Sequence, residues 1–141
     1  MKRSFARWAL VALLTLPSVA GATSPYSIDF KLFNFSSYDA LDVSVNYASA
    51  NGGFAGAGDA VACTPNAALG ATMAFNDVAP TLKSGAIRLS PFAGQVVLFT
   101  CTFDSNAGAP SAANFAISVT GWGPPTNTTS PVVVISRIQA Q

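Results

Sequence analysis

The sequence predicts an all-β fold, an antiparallel β-sandwich or jelly roll of eight or nine short strands, and three observations support that expectation. Helix-forming charged residues are scarce, with no Glu at all, while Val, Phe, Thr, Ser, Gly, Asn and Pro are plentiful. Apolar and polar residues alternate with a period of two in several short segments. Gly, Pro, Asn and Asp punctuate the chain between those segments. Half of the residues are hydrophobic and 9% are charged, the reverse of what disorder requires.

The clearest segment is residues 94–104. Val97, Phe99, Cys101 and Phe103 share one parity and Thr100 and Thr102 the other, which predicts a central strand with four apolar groups on one face.

The other elements follow in chain order. Ile28, Phe30 and Leu32 alternate with Asp29 and Lys31, and the change of parity at Phe33 and Phe35 predicts a bulge or burial of both faces. Ser36-Ser37-Tyr38-Asp39 reads as a turn. Leu41, Val43, Val45 and Tyr47 then alternate with the outward set Asp42, Ser44 and Asn46. Residues 48–58 read as a loop with Asn51-Gly52-Gly53 as its turn signal. A short strand is expected at Val61-Ala62-Cys63, one helical turn fits residues 67–71, and a strand at residues 71–75 is interrupted by Asn76-Asp77 and Pro80.

Ile87 and Leu89 alternate around Arg88, and Pro91 and Gly94 bound a turn before the central strand. After a polar loop at residues 106–113, Phe115, Ile117 and Val119 form a strand that ends at Gly121. Trp122 opens a long loop through residue 130, and residues 132–138 are apolar enough to predict a last strand covered on both faces.

The first 22 residues read as a secretory leader. Lys2, Arg3 and Arg7 precede an apolar run, and Ala20-Gly21-Ala22 is a small-x-small cleavage signal. The run is far short of the roughly 20 residues that a membrane span needs, so residues 23–141 are expected as one domain that is secreted, periplasmic or at the cell surface. In an exported chain, Cys63 and Cys101 read most simply as one disulfide.

Composition narrows the function classes. Residues 23–141 hold four basic residues and six Asp, a formal charge of −2, so nucleic acid and anionic membranes are poor partners. The chain has no His, which removes the Ser-His-Asp and Cys-His arrangements. The nearest carboxylates, Asp39 and Asp42, fall at a turn and on a polar strand face, so no enzyme is expected. No cofactor or metal is expected either; Asn76-Asp77 reads as a turn, since a calcium loop needs more clustered oxygens. Asn34-Phe35-Ser36 and Asn127-Thr128-Thr129 match the glycosylation acceptor pattern and are assigned no role.

One family likeness rests on the order of five segments: residues 41–47 (LDVSVNY), 71–77 (ATMAFND), 84–89 (SGAIRL), 98–103 (LFTCTF) and 115–119 (FAISV). In this order the chain resembles the cohesin family, in particular small cohesin-like domains of exported bacterial proteins. The resemblance implies a β-sandwich, no catalysis, and docking of a protein partner on one sheet face. The family's Asp-Pro turn after the second-strand Tyr is replaced here by Ala48-Ser49-Ala50 following Tyr47.

Trp122, in Gly-Trp-Gly-Pro-Pro, has two readings. It folds back to cap an open end of the sandwich, the commoner outcome, or it offers its face to a sugar ring. The functional expectation is therefore a secreted, non-catalytic, cohesin-like module that mediates protein–protein contact in an extracellular or surface assembly. The alternatives are a carbohydrate-binding sandwich and a pilus or surface subunit that joins others by strand exchange.

Overall fold

A computed structural model describes residues 22–123 and 130–141. The expected leader up to residue 21 and the Asn127-Thr128-Thr129 match lie outside those residues. The described chain forms seven strands in one antiparallel sheet: β1 (Ser24–Asn46), β2 (Gly52–Phe54), β3 (Cys63–Pro65), β4 (Thr72–Val78), β5 (Thr81–Ser105), β6 (Ala116–Trp122) and β7 (Val133–Ala140). The single helical turn expected near residue 67 is present as a 3₁₀ turn at Ala67–Leu69, with Asn66 accepting from the amide of Ala68.

β1 and β5 set the architecture. They pair from Ser24↔Ser105 to Asn46↔Thr81, and each is flanked by different strands in its two halves. β7 lies beside the first half of β1, with β2 and β3 beside the second half of β5. β6 lies beside the second half of β1 and β4 beside the first half of β5. One half-sheet is thus β7-β1-β5-β2/β3, and the other is β6-β1-β5-β4. Counting β1 and β5 once in each half yields nine short segments, against the eight or nine expected, and β2 falls in residues 48–58, where a loop with an Asn51-Gly52-Gly53 turn is expected.

The sheet curls so that the halves face each other over one core, giving the sandwich-like arrangement. Phe30, Phe54, Phe99 and Phe103 come from the first half, and Leu41, Val43, Val45 and Leu82 from the second. Phe54 and Phe103 meet Tyr47 and Phe115 edge to face, or tilted, at centroid distances of 5.1 to 6.3 Å. Such pairs contribute about 0.5–1.5 kcal/mol each beyond the area they bury.

Long strands keep one face inward only if their parity is corrected where they bend. In β1 the buried set changes from Ile28, Phe30 and Leu32 to Leu41, Val43 and Val45, and the register with β5 shifts on both sides of Tyr38. In β5 it changes from Leu82, Ser84 and Ala86 to Phe99, Cys101 and Phe103. The switch there is a bulge: Phe30 faces Phe99 and Lys31 faces Val97, so Leu98 is the extra residue.

The predicted central strand is therefore present with one change of face. Leu98 and Phe99 are both fully buried, while Val97 is only half-buried.

Three expected turns fall inside strands. Ser36-Ser37-Tyr38-Asp39 continues β1, and Pro91 and Gly94 lie within β5, because the irregular pairing of the two strands absorbs the bend without breaking either. Asn76-Asp77 belongs to β4, and the turn comes later, at Ala79-Pro80. β7 is covered on one face only, with Val132 and Val134 exposed.

Cys63 and Cys101 form the expected disulfide. They are direct cross-strand partners with Cα atoms 4.1 Å apart, so β3 is stapled to β5. The bond fits an oxidising, extracellular environment. Among the described residues no helix is long and apolar enough to cross a membrane.

Candidate functional site

The outer face of the β6-β1-β5-β4 half-sheet carries the site. Alternation in these strands turns their inward set to the core and leaves four cross-strand rows on the solvent side. One row is Trp122, Ala40, Ile87 and Thr72, and the next is Thr120, Asp42, Gly85 and Ala74. Then come Ser118, Ser44, Lys83 and Asn76, followed by Ala116, Asn46, Thr81 and Val78.

Side-chain size shapes this face. Ala40 sits low between the larger Trp122 and Ile87, and Gly85 and Ala74 extend the low floor in the next row, so that an open groove of about 400 Å³ results. A Cβ added at Gly85 would meet nothing within 4 Å, so the floor is open above it. A second recess of about 360 Å³ lies on the same face, lined by Asn76, Val78, Thr81 and Lys83. Each volume falls within the range of small-molecule sites.

Trp122 is the last residue of β6 and is 56% exposed. The expected cap is thus replaced by an outward ring on a paired strand, because the parity that packs the half-buried Ile117 and Val119 against the core turns residue 122 to solvent. Its glycine and proline neighbours suggest a loop, where parity has no force.

Gly121 positions the strand end. A Cβ there would come within 2.5 Å of the buried Tyr38 ring and 3.0 Å of Pro131. Only a glycine lets β6 pass this close, and Trp122 is set by that packing.

The other polar clusters are occupied with structure. On the outer face of the first half-sheet, Asp29 accepts from Thr100 Oγ1 at 2.7 Å and pairs with Arg137 Nε at 2.8 Å. Asp77 points inward, where both carboxylate oxygens lie 3.0 Å from the Tyr47 hydroxyl. Burial raises the Asp77 carboxyl above its ordinary value, and burial together with the nearby carboxylate pushes Tyr47 up to about 12. Asn76 faces the opposite side of the strand from Asp77, so the two neighbours do not converge on one ion. Among the described residues no group of three or more His, Cys, Asp or Glu side chains is placed to hold a metal.

Asp42, Ser44 and Asn46 do line one outward face as read from the sequence, and the structure adds Thr72, Gly85, Ile87 and Lys83 from two neighbouring strands. Which strands are neighbours was the missing information. No known family model, curated protein or solved structure matches this chain.

Proposed function

We propose that the chain is an exported, non-catalytic binding module that holds its ligand on the outer face of the β6-β1-β5-β4 half-sheet. The observation behind this reading is the groove around Trp122, in which a large aromatic ring stands exposed beside a floor of small residues. Support for the non-catalytic part comes from the inventory: no His, no Glu, and two of the six Asp held in structural contacts. The disulfide and the leader-like first 22 residues support export.

The cohesin-like form of this reading would dock a partner protein on the same four-strand face, over exposed Ile87 and Trp122. Joining by strand exchange draws less support, since β7 is seated on its own chain from Tyr26↔Ala140 to Leu32↔Val133.

The test is retention. Immobilised wild-type chain and Trp122→Ala are exposed in parallel to spent medium and cell-wall material from the producing cells. Material held by the wild type and lost by the variant, with the two melting alike, supports the reading. Equal retention by the two proteins removes this face from consideration.

A further inference from the structure

The two recesses lie in line on one face. The floor of the first, at Ala74 and Gly85, continues along the same two strands to Asn76 and Lys83, which line the second. From Thr72 to Val78 this track is about 20 Å long at the usual rise of a strand. A site of this form suits a linear ligand that repeats along its length better than a single compact molecule.

Chemistry restricts the ligand further. Over the two recesses one carboxylate, Asp42, and one ammonium, Lys83, balance each other, so the track has no net charge to select an ion. Its remaining polar groups are hydroxyls and amides such as Thr72, Thr81 and Asn76, which pair with hydroxyl groups as donor or acceptor. Trp122 adds a flat apolar face at the β6 corner of the first recess, diagonally opposite Lys83 and complementary to the C–H face of a pyranose ring whose hydroxyls are equatorial.

We infer that the module binds an uncharged linear polysaccharide laid diagonally across the half-sheet, with one sugar ring stacked on Trp122 of β6, the chain crossing Ala40 and Asp42 of β1 and Gly85 of β5, and a later ring beside Lys83. This rests on the binding-module reading and names the ligand class for the same site. A shallow, open track admits an inner stretch of a polymer as readily as its end.

The experiment uses residues 23–141, which contain every strand of the described fold and in which Trp122 is the sole tryptophan. Its fluorescence is titrated with the uncharged hexasaccharides of cellulose, chitin, xylan and mannan, with their disaccharides, and with hexagalacturonate as the anionic control. Saturable binding of at least one uncharged hexasaccharide is expected, about tenfold or more tighter than its disaccharide, because only the longer chain reaches both recesses.

Calorimetry on the variants then places the sugar. Trp122→Ala should weaken the hexasaccharide about tenfold or more and Trp122→Phe less, since a smaller ring keeps part of the stack. Lys83→Ala should weaken the hexasaccharide and leave the disaccharide unchanged. Absence of binding to all four uncharged chains by the folded protein overturns the inference, as does a preference for hexagalacturonate or equal affinity for short and long chains. If no sugar binds while retention of a partner protein still depends on Trp122, the ligand class is wrong and the binding face stands. If a sugar binds equally well without Trp122 and without Lys83, the face itself is wrong.

Discussion

The Tyr47 hydroxyl bridges both carboxylate oxygens of Asp77 at 3.0 Å, inside the core, and so joins the residue after β1 to the penultimate residue of β4. The same Asp77 exchanges backbone hydrogen bonds with Gly58, at 2.8 and 2.9 Å, which ties down the segment between β2 and β3. One pair of residues, through side chain and backbone, thus anchors three parts of the chain.

That pair makes stability depend on pH at both ends of the scale. Burial raises the Asp77 carboxyl, so the folded chain takes up its proton at a higher pH than the unfolded chain. The resulting contribution is complete below the ordinary carboxylate range and is lost as pH rises through the folded value. Tyr47 shifts from about 10 to about 12, so its contribution is complete below 10 and is lost between those values. Urea unfolding of Asp77→Asn should lack the acidic slope, and Tyr47→Phe should lack the alkaline one. At neutral pH Tyr47→Phe should also cost about 1–3 kcal/mol, because the Asp77 carboxylate is left buried without its donor. Parallel pH profiles for wild type and both variants would refute the assignment.

Ser84 is a weak point in the core. It is 1% exposed, lies between Val43 and Phe75 in the pairing, and its hydroxyl has no hydrogen-bond partner. Ser84→Ala removes the unsatisfied group at little cost in volume and should raise stability by about 1 kcal/mol, read as a higher urea midpoint at constant slope. A loss of stability would show that the hydroxyl is satisfied in solution.

The close approach at Gly121 predicts a coupled pair. Gly121→Ala drives a methyl group into the Tyr38 ring and should cost about 1–3 kcal/mol. Repeating it in a Tyr38→Leu background should recover part of that loss, because the ring that must give way is gone. Strict additivity of the two substitutions would place the strain elsewhere.

The Cys63–Cys101 bridge closes a 38-residue separation, for which the chain-entropy argument gives about 4 kcal/mol. The double variant Cys63→Ala/Cys101→Ala should lower the unfolding free energy by about 3–4 kcal/mol. An unchanged denaturant midpoint would mean that the pairing of β3 with β5 holds without the bond.

The sequence carried the strand chemistry well and the connectivity poorly. Alternation at Ile28, Phe30 and Leu32, and again at Leu41, Val43 and Val45, marks inward faces without knowledge of neighbours, because the period of two is local. The continuity of β1 through Ser36 to Asp39, and of β5 through Pro91 and Gly94, is not local. Turn-forming residues there read as turns in isolation, whereas the two strands stay paired on either side of them and at Tyr38↔Phe92. The bulge at Leu98 is hidden for the same reason: the alternation of Val97, Phe99, Cys101 and Phe103 looks unbroken until the partner strand reveals an extra residue.

Trp122 shows the same limit at the site. Its neighbours in sequence are glycines and prolines, which suggest a loop, and its exposure follows from membership of β6. The groove beside it is assembled from four strands whose adjacency no short window of sequence contains.

The two long strands also leave the domain without a seam. A sandwich of two separate sheets can lose one layer and keep the hydrogen bonds of the other, whereas here each half borrows its two central strands from the same pair of continuous segments. A register slip introduced in either half would be carried through the bend into the other, and the penalty of mispairing falls on the whole fabric at once. The molecule should therefore melt as a single unit, with the groove and the disulfide-stapled half disappearing in the same transition.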